Sequence, residues 1–431
     1  MSPVTQTIAS KGEAAVALKA AKFYRYDQVP VSDTTWSLHA GPDRRIYAAA
    51  CIEGRGGCAA VIARYNDERD ALEYVVDVGQ AGGDPPDSGR ATQCKIHYSF
   101  APSERDGILY AATHASGPAL GDFFFNISAE WGDERKAFRG SVLIAYDTRE
   151  DRVLWGRPFI PREGCRCLCY DDERERMYTV GWPRNHFLVY DLATGDMTDH
   201  GRLGSINPQA IWMDARRRAY TTDDYGRILR FDPDRDRLEE LELRVPRAWY
   251  MSGWHTIIYD IVASPDGEVL YGIPWCNEPH LFRHLPLDGP QGRIEDLGPV
   301  SQRERDLHHP ISFFRDHGGG LVFGPDGMLY YCIARWKRGT MEGARIARDE
   351  QTKVLTGIVV QMNPETLERT DYAVLDRGDG KASHYVSRGG MDRNGDLFFG
   401  NVGATPSGIF KLEMDCLEPP DPRAHPLRLW G

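Results

Sequence analysis

The chain has 431 residues, 41% of them hydrophobic, and sets 52 Lys and Arg against 63 Asp and Glu for a formal charge of −11. That apolar share is enough for a sizeable core and excludes an intrinsically disordered chain. The acidic balance argues against a nucleic-acid binder that works by broad phosphate neutralisation.

Nothing in the sequence approaches the roughly 18 consecutive apolar residues of a membrane-spanning helix, so no membrane partner is expected. The N-terminal stretch MSPVTQTIASKGEAAVALKAAKFYRYD holds one short apolar run, Ala14–Leu18, between Lys11 and Lys19. It is too short for a signal-peptide core, and a cytoplasmic location is expected. The nine cysteines agree with a reducing compartment. Cys165, Cys167 and Cys169 alternate along one apparent strand, which places them on one face as poor disulfide partners. No C-x₂-C spacing offers a zinc cluster.

Along the chain one pattern recurs seven times: a short apolar strand, an Asp-containing turn, then a strand carrying an aromatic. The aromatics are Tyr47, Tyr110, Tyr178, Tyr220, Tyr271, Tyr330 and Phe398, and the turn acids are Asp43, Asp106, Asp172, Asp214, Asp266, Asp326 and Asp392. SPDGEVLY and GPDGMLYY show the unit most cleanly, with Asp-Gly between apolar runs as a hairpin signal. A second strand pattern follows each: IARYND, LIAYDT, FLVYDL, ILRFDP, LFRHLP, IVVQMN and IFKLEM. Several of these lead through a polar turn into a fourth strand. The shortest spacing, between Tyr178 and Tyr220, matches the roughly 40–45 residues of a minimal four-stranded blade.

The expectation is an all-β, seven-bladed β-propeller of four-stranded antiparallel blades, a single domain over residues 1–431. Two stacked β-sandwiches are the competing fold, but no Pro- or Ser-rich linker divides the chain. The segment AKFYRYDQVP before the first blade offers the last blade an extra strand that would cover an exposed edge. The remainder of residues 1–25, with its helical-looking Gly12–Lys22 stretch, and the tail 416–431 are expected to pack outside the ring.

Hairpin arithmetic then places side chains at one rim. The second-blade turn Glu104-Arg105-Asp106-Gly107 sets His97 opposite His114. The same offset selects Arg166 in blade 3, Asn207 in blade 4, the Ile257–Ile258 pair flanked by Tyr259 in blade 5, and the His384–Tyr385 pair in blade 7. Loops between second and third strands add Trp182, Tyr225, Trp275, Asn277, Glu278 and Arg335. Imidazoles, a guanidinium, amides and Trp around a cup suit a polar, ring-shaped, anionic ligand. Trp182 and Trp275 serve equally as packing residues, and Arg166 equally as an inter-blade ion pair. The Asp turns are structural, because Asp closes such turns through backbone contacts.

The runs KIHYS…DGILYAATH, GRPFIPREGCRCLCYDDERERMYTVGWP and HFLVYDLATG resemble the seven-bladed propeller polysaccharide lyases, with the ulvan lyases and rhamnosyl-glucuronate lyases nearest. The specific part covers roughly residues 94 to 195. Where that family often has Gly-Gly-His, this chain reads FRGS at Phe138–Ser141. The resemblance implies β-elimination on a uronate-containing saccharide or related small anionic ligand. It assigns His97 and His114 to acid/base steps and Arg166 to the uronate carboxylate; Tyr98, Tyr225 and Tyr259 all remain candidates for the tyrosine. Tyr98, Trp182, Asn207, Tyr225, Tyr259, Trp275, Arg335 and His384 are the expected substrate-binding residues. No cofactor is required, although Glu278, Asn277, Asn207 and Asp224 form a set that a divalent cation would use in a propeller lactonase. An isomerase or cyclase on the same scaffold, or a non-catalytic interaction propeller, are the other readings.

Overall fold

The computed structural model describes residues 18–53, 55, 57–85, 88–114, 135–206, 208–246, 256–275, 279–300, 319–336 and 355–415. The chain opens with β1 (Lys19–Arg25). A first sheet follows from β2 (Leu38–Ala40), β3 (Ile46–Ala50), β4 (Val61–Asn66) and β5 (Ala71–Asp77), and a second from β6 (Phe100–Ser103), β7 (Ile108–Ala112), β8 (Gly140–Asp147) and β9 (Arg152–Pro161). The third holds β10 (Gly164–Asp171), β11 (Arg176–Trp182), β12 (His186–Asp191) and β13 (Met197–Arg202). The fourth holds β14 (Trp212–Met213), β15 (Ala219–Thr222), β16 (Arg227–Asp232) and β17 (Arg237–Arg244). The fifth is built from β18 (Ile257–Ala263), β19 (Leu270–Trp275), β20 (His280–Leu285) and β21 (Arg293–Pro299). The last strands are β22 (Gly319–Phe323), β23 (Leu329–Trp336), β24 (Leu355–Met362), β25 (Arg369–Leu375), β26 (Val386–Met391), β27 (Leu397–Asn401) and β28 (Gly408–Leu412).

All seven repeat aromatics lie on the second strand of a hairpin: β3, β7, β11, β15, β19, β23 and β27. The turn acids explain why. Tyr47 donates its hydroxyl to Asp43 at 3.1 Å, Tyr220 to Asp214 at 2.8 Å and Tyr330 to Asp326 at 2.8 Å. Each carboxylate therefore closes its own turn and ties down the aromatic that follows. In the third sheet the partner of Tyr178 is Asp171, at 3.1 Å, and not the expected Asp172. Asp106 engages Ser103 instead of Tyr110.

Five four-stranded antiparallel sheets stand separately in a propeller arrangement, and the expected seven separate blades are not found. The remaining eight strands form one sheet in the order β22-β23-β24-β25-β1-β28-β27-β26. The reason is β1. It pairs antiparallel with β28, Lys22 opposite Lys411, and its first residues pair in parallel with β25, Lys19 opposite Ala373. Residues 19–25 thus belong to the sheet and do not pack outside it: Ala21 and Tyr24 are buried, and the strand satisfies two edges that would otherwise be open. The tail 416–431 lies outside the described residues.

First strands of successive units meet around the axis: β2 packs on β26 and β6, β6 on β10, β18 on β22, and β22 on β26. Small residues permit the closest of these approaches. A Cβ on Gly319 would sit 2.6 Å from the Val386 carbonyl, and one on Gly389 would collide with the Gly320 backbone.

Candidate active site

Bulges on the inner strands, more than strand alternation, aim the side chains at the axis. In the third sheet Cys165 pairs with Gly181 and Cys167 with Val180, so Arg166 is the extra residue of a bulge. In the fifth, Ile258 pairs with Pro274 and Asp260 with Ile273, leaving Tyr259 in the same position. A bulged residue is released from the pleat and re-aimed. The bulge at Arg166 also separates the cysteines: Cys165 packs with Leu168 and Tyr170, whereas Cys167 and Cys169 face the central cluster. The three therefore do not share one face, as strict alternation predicts. Cys51, Cys165, Cys167, Cys169 and Cys332 are buried free thiols.

In the second sheet the expected hairpin register holds from Phe100–Ala111 to Ser103–Ile108 and then slips. Lys95, not His97, bridges to His114. The extra residues between Lys95 and Ser99 still carry the His97 ring to within 5.5 Å of the His114 ring, with the planes 36° apart. Both imidazoles are only 1% exposed, so they lie below the rim where they were expected. Trp36 stacks on His97 at 5.0 Å and 24°, Tyr98 meets it edge-on at 4.5 Å, and Trp182 covers His114 at 4.6 Å.

His97 Nδ1–H donates to the Arg166 carbonyl at 3.0 Å. A carbonyl only accepts, so the proton must sit on Nδ1 and the lone pair on Nε2. Burial, reinforced by the positive charges of Arg166 and Lys95 and by His114, holds the His97 pKa well below that of a free imidazole. His97 is therefore neutral. Among the described residues the Arg166 guanidinium makes no ion pair or hydrogen bond, its Nε is buried without a partner, and burial lowers its pKa. Glu53 also acts on it electrostatically, but that carboxylate is already engaged by Lys95 at 3.1 Å, by Thr34 at 2.9 Å and by the Trp36 indole N–H.

Three tyrosines from three sheets converge beside this group. Tyr98 and Tyr259 meet edge-to-face at 5.9 Å, and the Tyr259 hydroxyl donates to that of Tyr385 at 3.4 Å. The Tyr98 hydroxyl is buried beside that of Tyr259, and burial pushes its pKa up, so it stays protonated. Trp275 closes on Tyr259 at 6.2 Å. Under Tyr98, the Arg388 guanidinium lies 4.1 Å from the ring centroid and forms an ion pair with Asp260.

The structure thus brings together His97, His114, Arg166, Tyr98, Tyr259, Trp182 and Trp275. Two expected residues stand elsewhere in the described contacts. Tyr225 is 50% exposed, which removes it as the buried tyrosine. Arg335 is gripped by both oxygens of Asp371 at 2.6 and 3.0 Å, an ion pair that reaches across β24 from β23 to β25. His384 is buried, and its neighbour Tyr385 is the residue that reaches the cluster. Asn207 lies outside the described residues, as do Asn277 and Glu278. Asp224, the remaining member of the cation set, accepts the Ser205 and Ile206 N–H groups at 2.6 and 2.8 Å and so anchors that preceding loop. No group of three or more His, Cys, Asp or Glu suited to a metal occurs among the described residues. Trp36, Glu53, Lys95, Asp260 and Arg388 were not singled out by the sequence. The hairpin count carried into the first unit ends close to Trp36, which is the one signal available for it.

No protein-family model matches the chain, and no curated protein sequence does. Solved structures do. A fungal alcohol oxidase of the AA5 family, in complex with copper, is 11% identical with a TM-score of 0.57, covering 94% of this chain and 79% of that one. The Cps50 (Swd1) beta-propeller domain of Myceliophteria thermophila is 9% identical at 0.52, covering 89% and 97%. A chain of the mitotic checkpoint complex is 9% identical at 0.53, covering 95% and 99%. At such identities the likeness concerns the fold alone, and together with the sheet order it makes this chain similar to β-propellers.

Proposed function

We propose that the chain is a lyase-type enzyme acting by β-elimination on a uronate-containing saccharide or a related small anionic ligand. Its eight-stranded sheet would count as two blades joined by β1, for seven in all. The observation that carries this reading is the Arg166 guanidinium, without an acidic partner among the described residues, beside a neutral His97 whose Nε2 is free to accept a proton.

A buried cation without a counter-ion is costly, and a ligand carboxylate supplies one. The planar guanidinium fork fits a carboxylate with two parallel hydrogen bonds. Holding that carboxylate stabilises the charge that develops when the adjacent ring proton leaves, often the largest contribution to such catalysis. His97 Nε2 takes the proton, and the C–H electron pair becomes the new C=C bond. The bond from the next ring carbon to the glycosidic oxygen breaks, its electrons stay on that oxygen, and a tyrosine O–H protonates it. Tyr98 and Tyr259 are the buried, protonated candidates. Return of the proton from His97 to the tyrosinate, directly or through water, resets the site.

The test is incubation with a panel of uronate glycosides, followed by ultraviolet absorbance of the α,β-unsaturated acid. Formation of that product supports the reading. Binding without product, or no binding, refutes it.

A further inference from the structure

We infer that Arg388, anchored by Asp260, is a positioning residue that fixes the Tyr98 ring in the channel. This rests on the proposed reading only in the use made of Tyr98.

Asp260 is 1% exposed and the Arg388 side chain 7%, so the pair is an ion pair taken almost fully out of water. Such pairs return little net stability, and apolar residues of similar volume commonly do as well or better. The pair is nevertheless satisfied with care. Asp260 Oδ2 accepts the Leu321 N–H at 2.9 Å, and Oδ1 accepts the Ile261 N–H at 2.9 Å. One carboxylate thereby ties the inner strands β18, β22 and β26, and it presents the Arg388 guanidinium to an aromatic ring of the second unit. That ring is Tyr98, 4.1 Å from the guanidinium carbon. A cation at this distance over an aromatic face holds the ring in place.

Ser37, His39, Phe100 and Gly389 complete the small space around the contact. The titratable groups facing Tyr98 are His97 on its own strand, His39 of β2, Arg166 of β10, Tyr259 and Asp260 of β18, and Tyr385 and Arg388 at β26. Arg388 is the cation in direct contact with the ring. It favours the phenolate against the upward push of burial, which makes the hydroxyl a better proton donor.

The variant to make is Asp260→Asn combined with Arg388→Met, which keeps side-chain size and leaves no orphaned charge. Arg388→Lys is the conservative control. Protein labelled with 3-fluorotyrosine is read by ¹⁹F NMR, with the Tyr98 resonance assigned through Tyr98→Phe. In the folded double variant the Tyr98 resonance is expected to shift and broaden as the ring begins to flip, while resonances of tyrosines remote from the channel hold. Arg388→Lys should restore part of the change. With a uronate glycoside, kcat should fall about tenfold to a hundredfold at unchanged KM. An unchanged Tyr98 resonance in a folded double variant overturns the inference. Absence of elimination by the unmodified protein refutes the proposed reaction and leaves the ¹⁹F result to decide the role of Arg388 independently.

Discussion

His97 and Arg166 are joined through the main chain: the imidazole Nδ1–H donates to the Arg166 carbonyl at 3.0 Å, so the residue offering a guanidinium also fixes the tautomer of its neighbour. Because the acceptor is a main-chain oxygen, truncating the Arg166 side chain leaves this bond in place and removes the guanidinium alone.

For His97→Ala the expected loss of turnover on a uronate glycoside is about 10²- to 10⁴-fold, the usual range for a general acid or base. Because the ring is 1% exposed and stacked on Trp36, a loss of about 1–3 kcal/mol of stability should accompany it. Steady-state kinetics on material shown to be folded by thermal melting separates the two effects. Unaltered turnover would remove His97 from the reaction.

Arg166→Ala should abolish binding of glucuronate measured by calorimetry, and Arg166→Lys should recover it only in part, since a point charge lacks the planar fork. Bound carboxylate also offsets one of the positive charges that depress the His97 pKa. NMR titration should therefore show the His97 pKa rising toward the free-imidazole value when glucuronate is present. Equal affinity in the Ala variant would place the carboxylate elsewhere.

Asp392, 4% exposed, has its pKa pushed up to about 6 by burial and then by Asp396. The native state holds this proton more tightly than the unfolded chain does. Stability therefore falls as pH rises from the unfolded carboxylate value, near 4, through about 6, and it does not recover above that. Asp392→Asn should match the parent near pH 4 and be more stable at pH 8, by at most about 3 kcal/mol. Denaturant melts at the two pH values provide the check, and a variant less stable than the parent at pH 8 would contradict the assignment.

Burial pushes the thiols of Cys51 and Cys165 up to about 12, which leaves almost no thiolate at neutral pH. Both should resist iodoacetamide in the folded protein. In denaturant without reductant, intact mass should show all nine cysteines modified. A pair that stays unmodified until reductant is added would show a disulfide.

The repeat was readable because its signals are local. An Asp turn and an alternating strand lie within a few residues of one another, and Tyr47, Tyr220 and Tyr330 do bond to the acids paired with them by spacing alone. Arg166 and the two histidines were found by counting from the same turns. The count could not include bulges, which depend on how one inner strand packs against the next; hence the misplaced partner of His114 and the false grouping of Cys165 with Cys167. Asp260 and Arg388 come from units far apart in the chain, and no local pattern joins them. The fusion of the last seven strands with β1 was hidden for the same reason: that β1 could pair with β28 is an edge argument, but its parallel pairing with β25 depends on where the closed ring places two distant strands.

The position of β1 has a consequence for how the protein is made. This strand is synthesised about 350 residues ahead of its partners on β25 and β28, Lys19 lying opposite Ala373 and Lys22 opposite Lys411. Until those partners are made it must remain without its native neighbours, and its buried residues Ala21 and Tyr24 stay open to wrong pairing. Contacts of such sequence separation are slow to form and are the ones at risk during translation. A rearranged chain in which residues 18–25 follow β28 directly would make the same closure a local hairpin, and faster refolding with less aggregation is the expected gain.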